Sequence, residues 1–256
     1  MIVSNARFPL TLLALSGLLW PAAGIAEEWP APIAALEKQG LNVHQRFDAP
    51  SGLTGYAASV RGQAVAVYLT EDGEHAIVGT LLDAEGNDLS AAQLDELVRK
   101  PQDAATWNNL GDSAWIADGA ADAERIVYVF TDPNCPYCQQ FWSEARPWVE
   151  AGKVQLRHIM VGILKQDSPR KAISLLAADD PAAALHAHQQ GSQAIALLES
   201  LPREFEDALA KNHRLMQRLG LRATPSILYR RDGLLKIAQG VPAEQQLEAI
   251  MGSPRP

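Results

Sequence analysis

Arg125-Ile126-Val127-Tyr128-Val129-Phe130-Thr131-Asp132-Pro133-Asn134-Cys135-Pro136-Tyr137-Cys138-Gln139-Gln140 is the stretch whose reading decides the fold. Its first six residues are β-branched, aliphatic or aromatic almost without interruption, the pattern of a strand buried on both faces. Asp132 and Pro133 mark a turn. A helix is predicted from Cys135 to Glu150, with Pro136 in the first turn, where its missing N–H would be unpaired anyway. Pro147 is expected to kink this helix, and Gly152 lies just past its end. Val154 to Val161 reads as a second strand. Strand, helix and strand in this order predict a parallel pair joined by a right-handed crossover.

Cys135 and Cys138 are the only cysteines in 256 residues. A helix that starts near Cys135 aims its free N–H groups and positive dipole end at the first sulfur, favouring thiolate over thiol. Thiolate is the form that attacks a disulfide. Cys138 would lie further inside, placed to resolve a mixed disulfide. Zinc would need four ligands and there is no second cysteine pair, while His186 and His188, two apart on a predicted helix, face different ways. Haem attachment needs His after the second Cys, where Gln139 stands. A purely structural bridge is the remaining alternative, although so small a loop removes little entropy from the unfolded chain. No metal or cofactor is expected.

Upstream, Arg7 precedes the apolar run Phe8 to Trp20, which is shorter than the roughly 20 residues needed to span a bilayer. Gly24-Ile25-Ala26 then supplies small residues, so residues 1–26 are predicted to be a cleaved secretory signal, with an uncleaved anchor as the competing reading. Its loss would take the formal net charge from −8 to −9. An acidic chain lacks the basic surface of a sequence-independent nucleic-acid binder. Export places a cysteine pair where a disulfide persists.

Pro30 to Lys38 reads as a short helix. Val43–Phe47, Tyr56–Val60, Val65–Leu69 and Ala76–Leu82 read as strands of an antiparallel meander, separated by turns such as Arg61-Gly62. This unit, residues 27–88, is small for an independent core, and self-association is its simplest support. Ser90 is a candidate N-cap, and residues 89–118 read as a helical connector interrupted at Pro101 and resuming from Thr106 to Ile116. Residues 119–256 form the second unit. Within it, residues 168–219 are a helical layer broken at Pro181, Gly191 and Pro202, Ser226–Tyr229 and Leu234–Gln239 flank an Asp232-Gly233 hairpin, and Glu244–Met251 closes the chain as a helix. The class is α+β.

C-P-Y-C at a helix start, within βαβ, followed by Ala223-Thr224-Pro225-Ser226 before a hairpin, resembles the thioredoxin fold. The block Tyr128 to Trp142, then Ala145-Arg146-Pro147-Trp148-Val149, Gly152 to Arg157, Ala35 to Gly40 and Phe47 to Pro50 are similar to the DsbC/DsbG family of periplasmic disulfide isomerases and reductases. The resemblance spans essentially the whole chain after residue 26. It implies a cystatin-like dimerisation domain, a helical linker, a thioredoxin-fold catalytic domain with a helical insertion, and a V-shaped homodimer in the periplasm. Cys135 and Cys138 are implied as the redox-active pair, with Thr224, cis-Pro225, Pro136 and Tyr137 contacting substrate. Misbridged or sulfenylated exported proteins are the implied substrates and the membrane protein DsbD the implied electron donor, with chaperone activity alongside. A DsbA-like oxidase and a holdase with secondary redox activity are the alternatives. Thioredoxins carry a buried acid six residues before the first cysteine, and here that position is Val129. Asp132 is then either the proton acceptor for Cys138 or simply a turn cap.

Overall fold

The computed structural model describes residues 28–256. The predicted signal segment lies outside the described residues. Helix α1 (Ala31–Lys38) covers one face of an antiparallel sheet of strands β1 (Asn42–Asp48), β2 (Thr54–Val60), β3 (Gln63–Leu69) and β4 (Ala76–Val78), paired in that order. Alternation along β2 explains the packing. Tyr56 and Ala58 meet Ile33 of α1, whereas Ala57 faces the opposite side, where Leu94 and Val98 lie. The β2–β3 turn places Arg61 and Gly62 at φ of 50° and 80°, as two-residue hairpins require.

Strand β4 is shorter than its apolar run suggests. Gly79 turns out of the ladder, Asp83 gathers the backbone N–H groups of Glu85 and Asn87 at 3.0 and 2.8 Å, and the return is a single bridge between Leu82 and Asp88. Ser90 does occupy the N-cap of the next helix, α2 (Ala91–Leu94), but its hydroxyl donates to Asp88 and caps nothing.

The connector differs from the sequence reading in two ways. Pro101 does not interrupt it. A π-turn over Asp95–Arg99 joins α2 to α3 (Lys100–Gly111), and that wider turn opens the backbone ahead of a ring that would otherwise strike the carbonyl four residues back. The helix also ends at Gly111 instead of running through Ile116. Trp115–Asp118 forms strand β5, paired antiparallel with β7 (Val154–Met160). Four residues are too few for a period of 2.0 to be told from 3.6. Helix α3 lies on the hairpin of β8 (Ser226–Arg231) and β9 (Leu234–Gln239). Asp103 accepts from the Leu235 N–H at 2.8 Å, and the Arg230 guanidinium stacks 4.7 Å from the Trp107 ring centre.

The second sheet runs β5-β7-β6-β8-β9, where β6 is Arg125–Thr131. Only β6 and β7 are parallel. Both faces of β6 are buried. Val127 and Val129 pack against Phe141, Ala145 and Trp148 of α4 (Pro136–Glu150) and against Leu247 and Ile250 of α8 (Glu244–Met251). Tyr128 and Phe130 point the other way, toward Leu110 of α3 and Leu215 and Met216 of α7 (Arg203–Arg218). Each large apolar side chain buried in this way contributes about 1.5–3 kcal/mol. Helices α5 (Ser168–Leu176) and α6 (Pro181–Gln189) form a third cluster with Ile116 and Met160. The buried central strand therefore delivers its C-terminal end, and the turn that follows, to a fixed point on the surface.

Candidate active site

Cys135 is the N-cap of α4, in extended conformation (φ −87°, ψ 111°), and its Sγ accepts from the Cys138 backbone N–H at 3.2 Å. Both cysteines are thiols. Pro136 and Tyr137 follow on the outer surface of the first turn, Tyr137 61% exposed, while Cys138 is 2% exposed and faces the sheet. From the far side of the chain the Ala223–Ser226 segment arrives beside them. Thr224–Pro225 is cis, and the protonated Cys135 thiol donates to the Thr224 carbonyl at 3.3 Å. The Gly240 N–H holds the Pro225 carbonyl at 2.8 Å, and Ser226 Oγ donates to the Ala223 carbonyl at 2.6 Å, fixing this loop at the head of β8. Cys135, Cys138 and Thr224, with Pro225 next to it, are thus brought together; Pro136 and Tyr137 flank them.

The two sulfurs are driven apart in acidity. A hydrogen bond from the Cys138 thiol, helped by Thr224 and by the N–H groups of Cys138 and Tyr137, outweighs burial and lowers the Cys135 pKa from 9.0 to about 6. Burial first, then the hydrogen bond and negative charge shared with Cys135, push Cys138 strongly upward. Near neutral pH one sulfur is therefore a nucleophile and a good leaving group, and the other holds its proton. Sequence reasoning gave the helix N-terminus as the source of this acidity, but the second thiol is the larger cause. The Thr224 hydroxyl is buried with no hydrogen-bond partner among the described residues, and its proximity favours the Cys135 thiolate.

Asp132 caps the turn. It is 1% exposed, and its carboxylate is fully engaged. Oδ1 accepts from the Asn134 N–H and the Ser168 hydroxyl at 2.8 and 2.9 Å, and Oδ2 from the N–H groups of Ile163 and Leu164 at 2.7 and 3.0 Å. It ties the cysteine turn to the loop after β7. Gly162 in that loop lies so close to Pro169 that a Cβ would come within 2.6 Å of its backbone. Val129, at the position of the acid in thioredoxins, is wholly buried in apolar surroundings. Two further ties fasten the helical insertion to the turn. His188 Nε2 is 2.7 Å from the Pro133 carbonyl, and Gln139 Nε2 donates to the Gln189 carbonyl at 2.7 Å. No local pattern announces these partners, which come from 50 or more residues away. Among the described residues no group of three or more His, Cys, Asp or Glu is arranged to hold a metal ion, and no helix is long and apolar enough to cross a membrane.

Residues 116–253 match the thioredoxin-like domain family. The chain is 49% identical over 253 residues to the thiol:disulfide interchange protein DsbG of Pseudomonas aeruginosa, covering 96% of this chain and 99% of that one. It is 41% identical over 238 residues to DsbG of Escherichia coli K12, covering 92% and 96%. Among solved structures, the catalytic domain of Proteus mirabilis ScsC superposes with a TM-score of 0.50 at 25% identity, over 60% of this chain and 96% of that one. The sulfur pair at the head of α4 and the cis-proline loop beside it therefore sit in a chain that belongs to the DsbG family of thiol:disulfide interchange proteins, and that is accordingly a thiol–disulfide oxidoreductase.

Proposed function

We propose that this protein is a periplasmic, dimeric reductase and isomerase of disulfides in exported proteins, and that it reduces cysteine sulfenic acids by the same dithiol. The observation that carries the reading is the split acidity of two sulfurs 3 residues apart, with the acidic one at the helix N-cap. The Cys135 thiolate attacks one sulfur of a substrate disulfide. A mixed disulfide forms and the other substrate sulfur leaves as thiolate, free to attack elsewhere and rearrange the bridge. A sulfenic acid condenses with the same thiolate and a proton, releasing water and giving the same mixed disulfide. Where the substrate does not rearrange, Cys138 attacks the Cys135 sulfur, the substrate departs reduced, and the enzyme is left with a Cys135–Cys138 disulfide. Once Cys135 is bonded its negative charge is gone, which removes two of the three causes that hold the Cys138 proton in place. Return to the dithiol takes two electrons from a dithiol donor, the role the resemblance gives to membrane-bound DsbD.

Thr224 and Pro225 would present main chain to an extended substrate, with Pro136 and Tyr137 on its other side. Residues 27–88 would pair two copies. Support for this lies on and beyond edge strand β4, where Ile77 (54%), Val78 (49%) and Leu82 (56%) are exposed. Chaperone action would use the space between the two copies.

Two measurements test the reading. Cys138→Ala, incubated with oxidised exported proteins, is expected to accumulate mixed disulfides on non-reducing gels, whereas a holdase with incidental thiols would accumulate none. Sedimentation is expected to give twice the chain mass, falling to one chain when Ile77 and Val78 are both replaced by Glu. A monomer with full disulfide-forming activity would instead favour the DsbA-like alternative.

A further inference from the structure

We propose that a groove leading from Cys135 along α4 to the end of α6 is a specificity subsite, selecting neutral, hydrogen-bonding side chains next to the reacting cysteine of an extended polypeptide substrate. This deepens the exchange reading above and rests on it.

The groove begins at the reacting atom. Pro133, Asn134, Cys135 and His188 line a cavity of about 170 Å³. Through Pro136, Gln139 and Gln189 it continues into a wider groove of about 760 Å³, within the size range of peptide and small-ligand sites. A substrate sulfur bonded to Cys135 necessarily brings its neighbouring residues to this mouth. The walls are set before any substrate arrives, because the His188–Pro133 and Gln139–Gln189 hydrogen bonds hold the end of α6 against the cysteine turn.

The lining is amide and hydroxyl. Beyond Gln139 it comprises Gln140, Ser143, Gln190 and Ser192, and its one carboxylate, Glu144, is engaged by Gln140 Nε2 at 2.9 Å. Trp142 also lines the groove. It is 5% exposed, and its indole N–H is buried with no partner among the described residues. The ring is immobilised on both sides: the Arg146 guanidinium lies 4.1 Å from the ring centre, and His186 meets the ring edge-on at 5.2 Å. Arg146 is itself clamped by both carboxylate oxygens of Asp118, so it is not free to receive an anion. What the indole lacks is an acceptor, and an amide or hydroxyl oxygen supplies one when a substrate side chain entering the groove uncovers the N–H. An apolar side chain would leave the indole and the amides unpaired, an anionic one would face the Glu144 carboxylate with no free cation beside it, and a cationic one would reach Glu144 only by taking it from Gln140.

The test uses disulfide-linked peptide pairs differing only in the two residues flanking each cysteine: Asn and Ser, Leu and Val, Asp and Glu, or Lys and Arg. With reduced protein, kcat/KM for the Asn/Ser pair is expected to exceed that of each other set at least fivefold. Trp142→Phe, which keeps the ring and removes the donor, is expected to bring this ratio close to one. Gln190→Lys, at an exposed position where folding is not at stake, is expected to move the preference to the Asp/Glu set. Equal values for all four sets in the unaltered protein, or an unchanged ratio in folded Trp142→Phe, would overturn the subsite while leaving exchange intact. Absence of exchange with every peptide would overturn the exchange reading and the subsite with it.

Discussion

Cys135→Ser is expected to lower thiol–disulfide exchange by at least about 10³-fold, because a serine hydroxyl stays protonated at neutral pH and offers no thiolate. The same chemistry can be read without mutation. Alkylation of Cys135 by iodoacetamide follows its thiolate fraction, so the rate is expected to rise with a midpoint near pH 6, where an ordinary thiol has its midpoint near pH 8.5. In Cys138→Ala that midpoint is expected to move upward, since the Cys138 thiol is the largest cause of the lowering. The sign carries into stability. A group whose native pKa is depressed contributes stability that is present above its unfolded value and is lost as pH falls through the native one. The reduced protein should therefore gain stability over the oxidised protein as pH rises from about 6 toward 8, because the oxidised form has no such thiol. Urea unfolding of both forms at pH 5, 7 and 8 measures this. A gap that does not change with pH, or an alkylation midpoint at the ordinary thiol value, would contradict the acidity of Cys135.

Asp132→Ala is expected to be the most destabilising single change near the site. It strands three backbone N–H groups and the Ser168 hydroxyl, all of which aim at a carboxylate 1% exposed. Unmet buried donors cost about 1–3 kcal/mol each, and some regain water when the loop relaxes, so a loss of about 3–5 kcal/mol follows. For a chain of this size that is a fall in Tm of roughly 6–20 °C. Asp132→Asn should lose less, because one of its two oxygens survives as an acceptor. The variant should also react more slowly with disulfides, because Ile163, Leu164 and the cysteine turn lose their common anchor. A Tm within 2 °C of the original would show that the carboxylate is dispensable.

The strands and helices that touch β6 were largely legible in the sequence because they are long and strongly patterned. The run Ile126–Phe130 announces its double burial, and Cys135-Pro136 announces a helix start. What escaped was decided at a distance. Trp115–Asp118 reads as helix because so short a segment carries no period, and its pairing with β7 settles the matter. Pro101 is a helix breaker by local rules, yet the π-turn ahead of it absorbs the ring. The cysteine pair was visible, but the origin of its acidity was only partly so, since the fold had to bring Cys138 and Thr224 to the same sulfur. Asp132 in sequence is one acid in a turn. Its four donors come from residues 134, 163, 164 and 168, and only three-dimensional closure identifies it as a cap.

The connector helix is gripped at two ends by different sheets. Leu94 and Val98 are sunk into the N-terminal unit, while Asp103 and Trp107 are bolted to the very hairpin whose first strand opens on Pro225. The two grips are separated by only four residues, 99–102, beside the π-turn, so one continuous helix ties the N-terminal sheet to the hairpin that follows the cis-proline loop.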